Sequence, residues 1–228
     1  MRDAVALHVT FRGVGMITND WQAAMWHRPE PNELHPSTTA LIVFDMLEIY
    51  RPAIERSGVL PTVIGLVDFC RAQGVLVCFA RAAHRPDGAD FTRVIADTDP
   101  DFVPWDATRP QPTRPRHVAG GGYQALTEFR QGPEDIDIPK HRWSAFHGTA
   151  LDLTLRVQQI ETVMIVGGST HVGVASTAYA ARDLDYQVIV VRDGCTGHEE
   201  PRDFFLDTVF PRMVQVKTAA EVTSLLSR

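Results

Sequence analysis

The chain has 228 residues, 44% of them hydrophobic, which is enough to bury one substantial core. Its formal net charge is −6, and it has no basic run of the kind that binds nucleic acid or an anionic membrane. Composition therefore favours a small-molecule substrate, and neither a nucleic-acid nor a membrane partner is expected.

Hydropathy and cysteine use indicate a cytoplasmic protein. No apolar run in the sequence approaches the roughly 18 residues of a membrane span, and the first residues lack the apolar centre of a signal peptide. The three cysteines, Cys70, Cys78 and Cys195, form no Cys-x-x-Cys pair and are odd in number. This spacing argues against a disulfide framework or a structural zinc site.

Residues 1–38 are predicted to form an irregular N-terminal arm with one short helix near residues 20–26, because their tryptophans and prolines follow no sustained period. Two roles remain open for this arm: packing on the body or a neighbouring subunit, or covering the active site. Residues 39–228 are predicted to form a single domain.

From residue 39 onward, strand and helix patterns alternate. Residues 40–44 are a continuous apolar run, typical of a strand buried on both faces. Residues 60–73 place apolar side chains at helical spacing before Gly74. The further predicted elements, in chain order, are strands at 75–79 and 136–138, a helix at 148–159, a strand at 162–166, a helix at 170–184, strands at 187–191 and 214–216, and a helix at 219–226. This order predicts a three-layer α/β fold with a doubly wound, mainly parallel, six-stranded sheet of the Rossmann-like type.

Several charged side chains follow predicted strands. Asp45 comes directly after the first strand, and Lys140 comes just after residues 136–138. Both are expected at the carboxyl edge of the sheet, where such folds bind ligands. Burial there raises a carboxyl pKa, and a nearby lysine lowers it again. From position alone, Asp45 could instead be a loop or helix-capping carboxylate, and Lys140 could be a solvated surface lysine.

Segment 163–178 is an apolar run that breaks at Gly167 and Gly168 and restarts with small residues at Thr170. A strand that feeds a helix in this way places the first N–H groups of the helix at the carboxyl edge of the sheet. The turn from Ser169 to Gly173 is therefore predicted to bind an anion. The proline-rich stretch 81–115 is expected to cover the same edge.

Four motifs in this order resemble the isochorismatase-like (cysteine hydrolase) superfamily. Segment 163–178 is similar to its signature Gly-x-x-Thr-x-x-Cys-Val-x-x-Thr-Ala. Residues 39–46 resemble the family's first strand with its catalytic aspartate, and residues 137–146 resemble the part that carries its catalytic lysine. Residues 183–193 resemble a later strand of the family. The resemblance runs from residue 39 to the C-terminus. It implies an isochorismatase-like hydrolase fold, a homodimer or homotetramer, and a non-proline cis peptide near Gly168 and Ser169.

The same resemblance implies the catalytic residues. Asp45 is expected to act as general acid or base, with Lys140 as its electrostatic partner. Gly173 stands where the thiol members carry their nucleophilic cysteine, so covalent catalysis at this position is not expected. True isochorismatases also carry glycine there, with a histidine two residues earlier as in His171. They protonate a vinyl ether with the aspartic acid, and water then adds to the resulting oxocarbenium ion.

These observations predict a hydrolase of a small organic acid or amide that works by Asp/Lys acid–base catalysis without a cysteine nucleophile. Residues 174–178 resemble the amidase branch more than the isochorismatases, so an amide hydrolase in which Asp45 activates water is one alternative. The others are an inactive relative that binds a metabolite, and a chain in which Gly173 replaces a natural cysteine. The substrate itself is left open.

Further residues are predicted to contact the substrate, from their position or from the resemblance. They are Arg81, His84, Phe146, Ser169, Thr170 and His171. An arginine would suit an acidic substrate, whereas solvent exposure or core packing is the plainer alternative for Arg81, His84 and Phe146. No metal is expected, although nicotinamidase relatives carry an Asp/His/His site, because no second histidine stands near His84 and Asp90. No cofactor is expected either, because Gly-x-Gly-x-x-Gly is absent.

Overall fold

The computed structural model describes residues 34–85, 90 and 123–227. A six-stranded sheet forms its centre, with the strand order β3-β2-β1-β4-β5-β6 and parallel pairing throughout. The strands are β1 (Thr39–Phe44), β2 (Leu76–Ala82), β3 (Ile136–Lys140), β4 (Thr162–Gly167), β5 (Gln187–Cys195) and β6 (Gln215–Lys217). The predicted fold class is confirmed.

Helices lie on both faces of this sheet. They are α1 (Arg51–Ser57), α2 (Leu60–Ala72), α3 (Leu151–Val157), α4 (Ala175–Asp183), α5 (Glu199–Phe204) and α6 (Ala219–Leu226). Helices α1 and α5 were not predicted; each is short and contains a proline, which local signals treat as a break. The predicted helix 170–184 in fact opens with a π-helical turn, Thr170–Val174, and only then continues as α4.

Three strands extend further than predicted, and this moves two site candidates into the sheet. Strand β2 continues to Ala82, strand β5 to Cys195, and strand β3 runs through Pro139 to Lys140. A proline is tolerated at that point because β3 is an edge strand and needs no donor on its open side. Arg81 and Lys140 are therefore strand residues rather than loop residues.

The side chains of the central strands alternate between two apolar cores. Even-numbered residues of β1, such as Phe44, pack with α3 and α4. Odd-numbered residues, such as Val43, pack with α2 and α6. Because parallel partners face the same side of a sheet, the pairing of Ala82 with Lys140 puts Lys140 on the Phe44 face and Arg81 on the opposite face.

The predicted arm is described only at its end. The Leu34 N–H donates to the Leu225 carbonyl over 3.2 Å, and the Leu34 side chain is buried in the core beneath α6. The predicted helix near 20–26 and nearly all of the predicted covering stretch 81–115 lie outside the described residues.

Within the described ranges, none of the helices has both the length and the apolar character needed to cross a membrane. The cytoplasmic location and the homodimeric or homotetrameric state stay predictions.

Candidate active site

Asp45 and Lys140 meet at the carboxyl edge of the sheet. Asp45 follows β1 with a left-handed backbone, φ 47°, and its N–H donates to the Ala80 carbonyl over 2.8 Å. The carboxylate accepts two hydrogen bonds: Oδ1 from the Ala82 N–H at 2.8 Å and Oδ2 from Lys140 Nζ at 2.7 Å. Strands β1, β2 and β3 thus jointly fix the orientation of this carboxyl group.

This ion pair is largely shielded from water. The side chains of Lys140 and Asp45 are 5% and 12% exposed, and Lys140 Nζ lies 4.3 Å from the centre of the Phe44 ring. Burial raises the pKa of Asp45 above its ordinary value, while the Lys140 ammonium and the Ala82 N–H act in the opposite direction. The carboxyl group therefore keeps its proton to a higher pH than a solvated aspartic acid does.

The predicted anion-binding turn follows β4. The peptide bond between Gly168 and Ser169 is cis, as the resemblance implied. Several N–H groups of the turn are already donated inside the protein: that of Thr170 to the Thr196 carbonyl at 2.9 Å, and those of Val172 and Val174 to the Ser169 carbonyl at 3.2 Å each. An anion held here would therefore depend on the remaining N–H groups.

Gly173 lies in this turn directly against the ring of Phe44. A Cβ atom added at Gly173 would lie 2.2 Å from Phe44 Cε1 and 2.5 Å from Cζ, closer than real side chains approach. The Gly173 carbonyl accepts a hydrogen bond from Thr177 Oγ1 over 2.7 Å. Phe44 thus contacts both the Gly173 turn and the Lys140 ammonium, and it directly precedes Asp45.

Two of the predicted substrate-binding residues have partners within the protein. Arg81 forms a bidentate pair with Asp137, at 2.6 and 2.7 Å, on the sheet face opposite Lys140. The Phe146 ring stacks on Tyr186, with ring centres 5.7 Å apart, and packs against the core that contains Phe44. A role of these two side chains in substrate binding stays a prediction.

The remaining predicted binding residues lie in or beside the turn. Thr170 is fully buried, and its hydroxyl donates to the Thr196 carbonyl at 2.7 Å. Ser169 Oγ and His171 Nδ1 are 3.4 Å apart, and both residues are partly exposed. Ser169 and His171 therefore keep access to solvent, whereas Thr170 has a structural contact.

Sequence reasoning missed two tyrosines near Asp45. The pKa of Tyr50 is raised by burial and, to a smaller extent, by the charge of Asp45. The pKa of Tyr123 is raised to about 12 by burial and by the charges of Asp90 and Asp45. An antiparallel bridge between Leu47 and Ala125 brings the segment around Tyr123 to the end of β1. Nothing in the local sequence signals a contact across so many residues.

A second polar cluster contains His84, Asp90 and His141. Asp90 Oδ1 is 3.5 Å from His84 Nδ1, and Asp90 Oδ2 is 3.1 Å from His141 Nδ1. The sequence offered no second histidine near His84; the end of β3 supplies it. The three donor atoms lie within 4.8 Å of one another, so these residues would hold a divalent ion if one binds there. The expectation that no metal is used stays a prediction.

The three cysteines do not offer a ready nucleophile. Cys70, Cys78 and Cys195 are all free and buried. Burial raises the pKa of each thiol to about 12. Because the thiolate is the reactive form, these residues are protonated and inert at neutral pH.

Comparison with known proteins adds to this geometry. Residues 39–221 match the Isochorismatase domain family. The chain is 29% identical to the uncharacterized isochorismatase family protein YecD of Escherichia coli O157:H7, over 85% of this chain and 99% of that protein. It is 32% identical to the ureidoacrylate amidohydrolase RutB of Variovorax paradoxus, over 73% of this chain and 71% of that protein. Its fold is similar to that of an isochorismatase family protein from Burkholderia thailandensis, with a TM-score of 0.69 and 27% identity. The match covers 86% of this chain and 99% of that protein.

Proposed function

Because the chain belongs to the isochorismatase family and is a hydrolase, we propose that it hydrolyses a small organic acid or amide by acid–base catalysis, without a cysteine nucleophile. In this proposal Asp45 transfers the proton, Lys140 is its electrostatic partner, and Gly173 stands at the position where thiol-dependent relatives carry their nucleophile.

The observation that carries this proposal is the buried contact of 2.7 Å between Lys140 Nζ and Asp45 Oδ2. A carboxyl group whose pKa is raised by burial is suited to donating a proton at near-neutral pH. An adjacent ammonium stabilises the negative charge that remains after the proton has left. The inert state of the three buried thiols supports a route without sulfur.

In the vinyl-ether reaction, the Asp45 proton moves to the terminal carbon of the enol ether and leaves an oxocarbenium ion. The oxygen of a water molecule bonds to the cationic carbon, and one of its protons returns to the carboxylate. The hemiketal then collapses: its hydroxyl proton passes to the ether oxygen as the bond between that oxygen and the carbon breaks, and an alcohol and a ketone are released. Lys140 stays protonated throughout and holds the carboxylate in place.

The second candidate is an amide hydrolase, and the likeness to the amidohydrolase RutB favours it. Here the Asp45 carboxylate takes a proton from water while the water oxygen bonds to the amide carbonyl carbon. The same proton then passes to the amide nitrogen as the C–N bond breaks. This route needs the ionised form of Asp45, whereas the vinyl-ether route needs the protonated form.

The pH dependence of kcat/KM separates these two candidates. If Asp45 is the acid, kcat/KM falls as the pH rises through the raised pKa of this group. If Asp45 is the base, kcat/KM rises over the same interval. Suitable assays are pyruvate release from isochorismate and ammonia release from ureidoacrylate.

The variant Asp45→Asn tests the proposal as a whole. We expect turnover to fall by about 10²- to 10⁴-fold, the usual contribution of a positioned acid or base. The matched control is Asp137→Asn, which changes a carboxylate on β3 that pairs with Arg81 and should retain activity. Unchanged turnover in Asp45→Asn would contradict the proposal. So would calorimetric binding without turnover of either substrate, which would indicate an inactive metabolite-binding relative.

A further inference from the structure

We propose that the Phe44 ring occupies the space that a nucleophilic thiol would need, so that Phe44 and Gly173 form a mutually dependent pair, and that Phe44 positions Lys140 for catalysis. This inference deepens the proposed function, since it rests on Gly173 standing at the nucleophile position.

The first support is steric. Three atoms of the Phe44 ring lie within 3.2 Å of the place where a Cβ at Gly173 would be, and the nearest is at 2.2 Å. The ring has little room to withdraw. Phe44 is 1% exposed and packs in the same core as Ala145 and Val174. Interiors this closely packed respond to an added methyl group with shifted side chains or backbone.

The second support is electrostatic. Lys140 Nζ lies 4.3 Å from the centre of the Phe44 ring and 2.7 Å from Asp45 Oδ2. An ammonium over an aromatic face is attracted to the electron-rich ring, and more strongly where water is excluded. The ring therefore contacts the same ammonium that pairs with the Asp45 carboxylate. Phe44 is a positioning residue, because it acts through Lys140 rather than on the substrate.

Together these contacts favour a site built around glycine. If a thiol were simply deleted from a thiol-dependent site, a cavity would remain beside the aspartate and lysine. Here the space beside Gly173 is filled by an aromatic side chain from the residue that precedes Asp45. Restoring cysteine alone should therefore fail to restore a thiol site, because the ring would still be in the way.

A double-mutant cycle tests the mutual dependence. We expect Gly173→Cys to lower the melting temperature by about 2–12 °C, because an added side chain overpacks this core and forces its neighbours to shift. Phe44→Val should also lower it, because it leaves a cavity. The combination Phe44→Val with Gly173→Cys should melt above either single variant, since the thiol then fills the vacated space.

A buried phenylalanine on the other sheet face supplies the control. Phe79 is 2% exposed and packs in the opposite core. In Phe79→Val combined with Gly173→Cys, the two losses in melting temperature should add. If the losses in melting temperature of Phe44→Val and Gly173→Cys also simply add when the two are combined, the proposal is overturned. It is likewise overturned if Gly173→Cys melts like wild type. If the combination does not fold, the milder pair Phe44→Leu with Gly173→Ala decides by the same criterion.

Thiol reactivity gives a readout that packing alone would not change. In Phe44→Val with Gly173→Cys, the introduced thiol should lie near the Lys140 ammonium, which favours the thiolate. Its alkylation by iodoacetamide should therefore begin at a lower pH than that of the natural cysteines, whose thiol pKa values are raised by burial. Adding Lys140→Met should move the pH profile of alkylation upward; an unmoved profile would overturn the placement of the thiol beside Lys140.

The positioning role is tested with the natural Gly173: Phe44→Leu, unlike Phe79→Leu, should shift the pH dependence of stability that Asp45 contributes, and an unshifted dependence would overturn this role. These readouts are independent of turnover, so their failure is distinct from failure of the proposed function.

Discussion

Two acid–base pairs each take one member from β3, and they differ in burial rather than in distance. Lys140 and Asp45 approach to 2.7 Å, and Arg81 and Asp137 approach to 2.6 Å. The first two side chains are 5% and 12% exposed, the other two 28% and 41%. Exposed pairs contribute little to stability, whereas a buried pair strongly affects both ionisation and stability. Short contact alone therefore does not identify a catalytic pair.

The difference between the two pairs arises from strand alternation. Lys140 is the register partner of Ala82, and Pro139 is the partner of Arg81, so a shift of one residue places the charges on opposite faces. On the Lys140 face, Phe44 covers the ammonium. The face of the sheet thus decides which charged group is desolvated.

The largest expected effect comes from removing one partner of each pair. Lys140→Met should lower the free energy of unfolding at neutral pH by about 3 kcal/mol, because it leaves the buried Asp45 carboxyl without its counter-charge. Arg81→Met should cost less than about 1 kcal/mol. Urea unfolding of both variants measures this contrast. Equal losses would show that burial does not distinguish the two pairs.

A smaller effect is expected in the pH dependence of stability. Folding raises the pKa of Asp45, so the stabilising contribution of its protonated form is present below the unfolded value of about 3.9 and is lost as the pH rises through the folded value. The free energy of unfolding of wild type, relative to Asp45→Asn, should therefore fall between acidic and neutral pH.

An exposed carboxylate provides the opposite case. Hydrogen bonds from Arg51 lower the pKa of Glu128 to about 2. The contribution of Glu128 should therefore be present above its unfolded pKa and be lost as the pH falls toward the folded value. Relative to Glu128→Gln, wild type should become more stable as the pH rises. If the stability of wild type relative to Asp45→Asn and relative to Glu128→Gln changed with pH in the same direction, the contrast between the buried and the exposed carboxylate would be wrong.

The smallest expected effect concerns the cluster of His84, Asp90 and His141. The proposed chemistry at Asp45 and Lys140 uses no ion, so this proposal predicts that dialysis against a chelator leaves turnover within about twofold of its starting value. Metal content before and after dialysis, measured by plasma mass spectrometry, accompanies the rate assay. A large loss that zinc reverses would make this cluster part of the catalytic site.

Local patterns along the chain were enough to predict the fold class and to single out Asp45 and Lys140 as site candidates. Apolar runs bounded by glycine and polar residues predicted the strand–helix alternation, and Asp45 could be found because it ends such a run. The extension of β3 through Pro139 was not predicted, because local signals treat proline as a break, while an edge position tolerates it.

The contacts between side chains could be seen only in the folded chain. It paired Arg81 with Asp137, placed Phe44 against Gly173, and brought His141 to Asp90. These contacts depend on strand register and on which face of the sheet each residue occupies, and both are set by pairing between distant segments. Local sequence patterns fix the elements because they depend on neighbours along the chain; they cannot fix such contacts, which depend on neighbours in space.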